Sequence, residues 1–238
     1  METEEIREKK EPKRLPVWAC ILLFALGLFV CMGLYGTIGF GLLSLILGDE
    51  ARHPGLLVYT VTEANMLLSV LTPAVILLYF ERRPFSDLGL TLKGHVRGLW
   101  YGLLVAMLLY LIGFGLSLAI GEVEVTGFQF DPLNLLGTFV FCLLVALTEE
   151  IMMRGYILGR LLHTRMNKFL ALFVSALLFA LLHIFNPNVA FLPMLNLVIA
   201  GMLIGASYLY TRNLCFPISL HLFWNWIQGP ILGYQVSG

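Results

Sequence analysis

Seven apolar stretches follow one another along this 238-residue chain. In a bilayer such segments are satisfied only as internally hydrogen-bonded helices or closed barrels, and a helical span needs roughly 20 apolar residues. The stretches cover about 16–47, 56–80, 99–120, 133–163, 168–186, 190–211 and 214–233. The expected fold class is therefore all-α, a polytopic transmembrane helical bundle of about seven spans. Composition points the same way: 59% of the residues are hydrophobic and 13% charged, against roughly half and a quarter in soluble domains. No polar stretch is long enough to build a soluble core. The expected organisation is a cytoplasmic charged N-terminal segment 1–14, N-terminal transmembrane helices over 15–132, and a transmembrane core over 133–238 that forms one unit with them.

The first apolar run is too long for a secretory signal and reads as a retained span. It is long enough to bend near Gly36–Gly41. The second run carries Glu63, Asn65 and Pro73, so its outer half is expected to be irregular or to lie on the surface. Basic residues set the orientation. Arg7, Lys9, Lys10, Lys13 and Arg14 precede the first span; Arg82, Arg83, Lys93 and Arg97 lie between the second and third. Arg160, Arg165 and Lys168 follow the fourth, and Arg212 lies between the sixth and seventh. The opposite loops hold Asp49, Glu50, Glu122, Glu124 and Asp131, with Arg52 as their one base. Seven spans with the N-terminus in the cytoplasm satisfy this alternation.

Net charge is zero, and no basic patch exceeds what orientation needs, so no nucleic-acid partner is expected. The partners expected are membrane lipid and a membrane-associated peptide or protein. The four cysteines, Cys20, Cys31, Cys142 and Cys215, have no metal or redox spacing and read as small buried hydrophobes. The glycine pairs Gly98/Gly102, Gly155/Gly159 and Gly201/Gly205 permit close helix approach, within the chain first and between copies as the alternative. The oligomeric state stays open. No internal repeat of the transporter kind is visible.

Ionisable residues at membrane depth are costly and are functional candidates by default. Glu149 and Glu150 end an apolar run, and two other spans carry His183 and His221. At 1.5 Å per residue, Glu149 lies about 24 Å from the start of its span, His183 about 22 Å from the start of its own, and His221 and Asn225 about 10 and 16 Å deep. These depths permit one shared site in the cytoplasmic half or near the middle of the bilayer. Glu150 and Arg154 are one helical turn apart in the favourable order for an ion pair. Glu149 has Met153 at the corresponding place and stays unpaired on its own helix, which leaves it open to serve as general base. His183 could orient a water shared with Glu149. His221 and Asn225, again one turn apart, offer an imidazole N–H and an amide to one point, as an oxyanion hole requires. Phe179, one turn before His183, reads as a wall; Trp224 and Trp226 read as interface anchors.

The ordered set Glu149-Glu150-x-x-x-Arg154, Phe179-x-x-x-His183 and His221-x-x-x-Asn225 resembles the CPBP family, the CAAX prenyl endopeptidases and bacteriocin-processing or self-immunity (Abi) membrane proteins. The match covers about 133–233, and Arg83-Pro84-Phe85-Ser86-Asp87-Leu88-Gly89-Leu90 looks like the loop common ahead of that core. The resemblance implies an intramembrane endopeptidase, open to the cytosol, that hydrolyses a peptide bond of a membrane-associated protein, prenylated in the CAAX-type case. By motif position Glu149 would activate water with His183, while His221 and Asn225 would stabilise the oxyanion. Glu150, Arg154 and Phe179 would support them. No cofactor is the first expectation. A zinc ion on Glu149, His183 and His221 is the alternative, although no H-E-x-x-H occurs. Two competing readings are a non-catalytic immunity or regulatory protein and a proton-linked transporter.

Overall fold

The computed structural model describes residues 15–53, 55–186 and 190–234. The charged segment expected at 1–14 lies outside them. The described residues form an all-helical bundle. Helix α1 spans Val17–Leu47, α2 Leu56–Phe80, α3 Val96–Ala119 and α4 Pro132–Glu150. Helix α4 runs on without a break as a π-helical segment, Ile151–Leu158, and a last α-turn, Gly159–Leu161. Then come α5 (Lys168–Leu182), α6 (Phe191–Thr211) and α7 (Cys215–Trp226), the last extended by a π-turn, Ile227–Ile231. Five of these helices are long and apolar enough to cross a membrane, while α5 and α7 are shorter.

The second span, expected to be irregular in its outer half, is a continuous helix, for a packing reason. Helices α1 and α2 run as uninterrupted helices and pack along each other. Where Pro73 projects from α2, α1 has Gly27, and a Cβ there would stand 2.7 Å from the proline Cβ. Where Asn65 projects, α1 has Gly39, and a side chain there would collide with the amide. Tyr35 and Thr72 share a hydroxyl hydrogen bond of 3.0 Å between these two sites. Pro73 and Asn65, which suggested an irregular segment, are received by glycines on the neighbour.

The paired glycines behave the same way elsewhere. A Cβ on Gly102 would lie 2.6 Å from the Leu220 backbone N, so α3 and α7 touch backbone to backbone. Gly201 of α6 faces Ala176 of α5, and Gly155 faces the carbonyl of Leu88. All three pairs are thus used inside the chain. The Arg83–Leu90 loop is not a loose connection. It folds as a short 3-10 turn, Phe85–Leu88, buries Leu88, and turns at Gly89 with φ +78°. The Gly89 carbonyl then accepts from the Leu214 N at 2.9 Å. This loop ties the α2–α3 half of the bundle to the π-helical segment and to α7. Of the cysteines, Cys20, Cys142 and Cys215 are buried and Cys31 is half-buried; all four are free thiols. Trp226 packs into the bundle: its Nε1 donates to the Leu135 carbonyl at 3.1 Å and its ring packs edge-on against Phe139.

Candidate active site

Each helix that bears a candidate residue begins on an Asn or Asp side chain. Asp131 Oδ1 accepts from Leu133 N and Asn134 N, both at 3.1 Å, with Pro132 at the first helical position of α4. Asn167 Oδ1 accepts from Phe169 N at the start of α5. Asn213 Oδ1 accepts from Cys215 N at the start of α7, while its amide donates to the Thr91 carbonyl. These bonds fix where each helix starts and hence which residues face inward.

At the end of α4 the chain changes register. The π-helical segment loosens the regular ladder, and neighbours supply bonds to its carbonyls: Ser175 Oγ donates to Met153 O at 3.2 Å and Tyr208 OH to Gly155 O at 3.5 Å. Such segments occur often at functional sites. Around this one the bundle is closed, with α2, α5, α6 and the 85–88 turn packed against it.

Glu150 is 0% exposed. Its Oε1 accepts from Arg154 Nη1 at 2.9 Å and faces His221 Nδ1 at 2.8 Å. Arg154 is as deeply buried, donates Nη2 to the Gly201 carbonyl at 3.2 Å, and lies 4.7 Å above the Phe179 ring. The charge of Glu150 is thus balanced within its own helix, as the spacing suggested. An ionised carboxylate only accepts hydrogen bonds. The Nδ1 of His221 therefore carries the proton, and Nε2 faces Glu149 Oε2 at 3.7 Å.

His183 follows the last residue of α5, which ends at Leu182 rather than near 186. Its Nδ1 meets the Phe179 carbonyl at 2.9 Å. A carbonyl also only accepts, so Nδ1 again carries the proton, and Nε2 lies 3.9 Å from Glu149 Oε1. Phe179 stands between the two imidazoles, with ring centroids 4.8 Å from His183 and 6.5 Å from His221. The Glu149 side chain is 22% exposed, against the sealed Glu150. Two imidazole nitrogens thus flank one accessible carboxylate, at separations too long for direct hydrogen bonds and suited to a shared water.

Glu149, His183 and His221 meet at this point. Asn225 sits one turn beyond His221, half-buried; among the described residues no hydrogen bond or ion pair joins it to the three. The pairing also changes what His221 can do. Sequence reasoning gave it a free N–H, but its Nδ1–H is engaged by Glu150, so donation toward the site requires a proton on Nε2. Glu63 was passed over. It lies on α2 against the Thr148 side chain and within electrostatic reach of Glu149. The signal was available, since a lone acid in an apolar helix warrants the same attention as Glu149.

Zinc needs three donors on one point. The tethered Nδ1 atoms leave both Nε2 atoms facing Glu149, as in metal-ligating histidines. Yet among the described residues no group of three His, Cys, Asp or Glu side chains is arranged to hold a metal ion.

Residues 131–227 match the family model described as Type II CAAX prenyl endopeptidase Rce1-like. This stretch is Rce1-like. It is less than half of the chain, and it contains Glu149, Glu150, Arg154, Phe179, His183, His221 and Asn225. The family description is that of a CAAX-type endopeptidase. The long apolar helices and this match together make the chain an integral membrane protein. No curated protein and no solved structure matches it.

Proposed function

We propose that this protein is a glutamate-dependent intramembrane endopeptidase that cleaves a membrane-associated protein or peptide, a prenylated CAAX-type substrate included. In this reading the N-terminus lies in the cytoplasm, which the distribution of basic loops supports, and the site opens toward the cytosol. Glu149 takes one proton from a water whose other hydrogen is held by His183 Nε2. The water oxygen attacks the scissile carbonyl carbon, and the C=O electron pair moves to its oxygen. That oxyanion is met by the protonated Nε2 of His221 and the Asn225 amide. The C–N bond then breaks, and the proton held by Glu149 passes to the leaving nitrogen. Glu150 keeps His221 in the required orientation, and Arg154 holds Glu150 in place. No step of this reaction runs through a metal.

The single observation that supports the reading is the meeting of an accessible Glu149 with two Nδ1-tethered imidazoles from separate helices. The test is hydrolysis of a fluorogenic lipidated peptide by the purified wild type and by Glu149→Ala. Hydrolysis in the first and its loss in the second is expected; equal turnover would remove Glu149 from the mechanism. A metal-free preparation in strong chelator should keep its activity. Loss there, with recovery on adding zinc, would transfer the reaction to the metal alternative.

A further inference from the structure

A second polar cluster lies away from the candidate active site, where the start of α1, the end of α2 and the last turn of α4 meet. Arg160 stands eleven residues after Glu149, about 16 Å along the helix at 1.5 Å per residue. It is buried, stacks over the Tyr156 ring at 5.2 Å, and pairs with Glu81 at 2.5 Å (Nη2 to Oε2). The same carboxylate accepts from the Cys20 thiol at 2.6 Å and lies 3.6 Å from Arg83 Nε. Arg83 also reaches Asp87 at 3.3 Å. Beside this cluster opens a cleft of about 650 Å³. Arg83, Arg160 and His163 line one side of it, and Val17, Trp18 and Ile21 of α1 line the other. The proposed peptide hydrolysis uses none of these groups.

We infer that this cleft binds the phosphate headgroup of an anionic phospholipid, with the lipid chains lying along α1. Four observations combine. First, the site is amphiphilic: guanidinium groups on one wall, an apolar helix face on the other. Second, it lies where three helices end, at the level of the membrane surface, and Trp18 is the residue type that sits there. Third, donors exceed acceptors. Each arginine carries five N–H groups, while among the described residues the side-chain acceptors facing them are the Glu81 and Asp87 carboxylates and the Tyr156 hydroxyl, and Glu81 is shared among Arg160, Arg83 and Cys20. Planar guanidinium donors left over in a cleft match phosphate oxygens in bidentate fashion. Fourth, Glu81 and the stacked Tyr156 hold Arg160 in place before any ligand arrives, so little side-chain ordering remains to be done on binding. Basic recesses between transmembrane helices are recognised headgroup sites.

The test is native mass spectrometry of the full chain in detergent, offered equal amounts of dioleoylphosphatidylglycerol and dioleoylphosphatidylcholine. Substituting Arg160 risks unfolding, so two other variants are used. Arg83→Gln removes a partly exposed cation, and Val17→Trp fills the cleft from the first turn of α1. The wild type should retain phosphatidylglycerol about tenfold over phosphatidylcholine, in keeping with one or two charge-assisted hydrogen bonds. Each variant should bring the two lipids level, and millimolar inorganic phosphate should not displace the bound lipid. Equal retention of both lipids by the wild type, an unchanged preference in both variants, or complete displacement by phosphate would each overturn the proposal. The last outcome would mark a site for free anions instead.

Discussion

The outer helices and the end of α4 treat the membrane in opposite ways. In the most apolar windows of α1 and α3, 11% of residues are buried; in that of α4 and its extension, 33% are. Residues Ile151, Met152, Met153, Arg154, Gly155 and Tyr156, which follow the two glutamates, are all buried. Lipid tails are as apolar as leucine, so an outward-facing leucine on α1 or α3 needs no protein cover. Charged groups do need it. The Glu150–Arg154 pair, the two imidazoles and the π-helical turn are wrapped by α2, α5, α6 and α7, which supply partners for most of their polar atoms; among the described residues Glu150 Oε2 stays buried without a hydrogen bond. The contrast teaches that the bundle is organised around one stretch of a single helix, and that its outer surface is permissive.

Substitutions can break or sharpen that contrast. Glu149→Ala should have the largest effect, a loss of about 10²–10⁴ in kcat/KM for removal of a general base, with an unchanged melting temperature. Unfolding on heating separates the two effects. Arg154→Ala leaves Glu150 buried and unpaired, which typically costs 3–5 kcal/mol; a chain that melts at the wild-type temperature would refute the pairing. Asn225→Ala should lower kcat by about 10² if the amide meets the oxyanion, with KM little changed. Gly102→Val forces α3 off the α7 backbone and should destabilise by about 1–3 kcal/mol, whereas Gly113→Ala, with nothing near its Cβ, should be neutral. Smallest of all, Leu111→Ala on the 73%-exposed face of α3 should leave both melting and turnover within error. A large effect there would mean that α3 has a partner in the membrane.

Hydropathy made the helices legible because length and apolar content are all that a span requires. The starts of α4 and α5 could be read to within a residue, since Asp131-Pro132 and Asn167-Lys168 are local capping signals. The pair Glu150–Arg154 was legible from spacing alone. What escaped depends on contacts between distant segments. The packing of Pro73 and Asn65 of α2 rests on Gly27 and Gly39, which belong to α1. The π-helical segment has no sequence signature of its own; its stray carbonyls are met by Ser175 and Tyr208, from α5 and α6. The tautomer of His221 follows from Glu150, 71 positions away, and it changes a donor into a group that must first be protonated. Glu63 was visible but was read as a disturbance of its helix rather than as a neighbour of Thr148 and Glu149.

The Glu150–Arg154 bond has a consequence for biosynthesis. Both partners ride on one helix, four residues apart, so they enter the bilayer together and cancel each other from the moment that segment leaves the insertion machinery. His221 emerges only after some seventy more residues have been made. The deepest charge in the molecule therefore carries its own escort and does not wait for the rest of the chain to arrive.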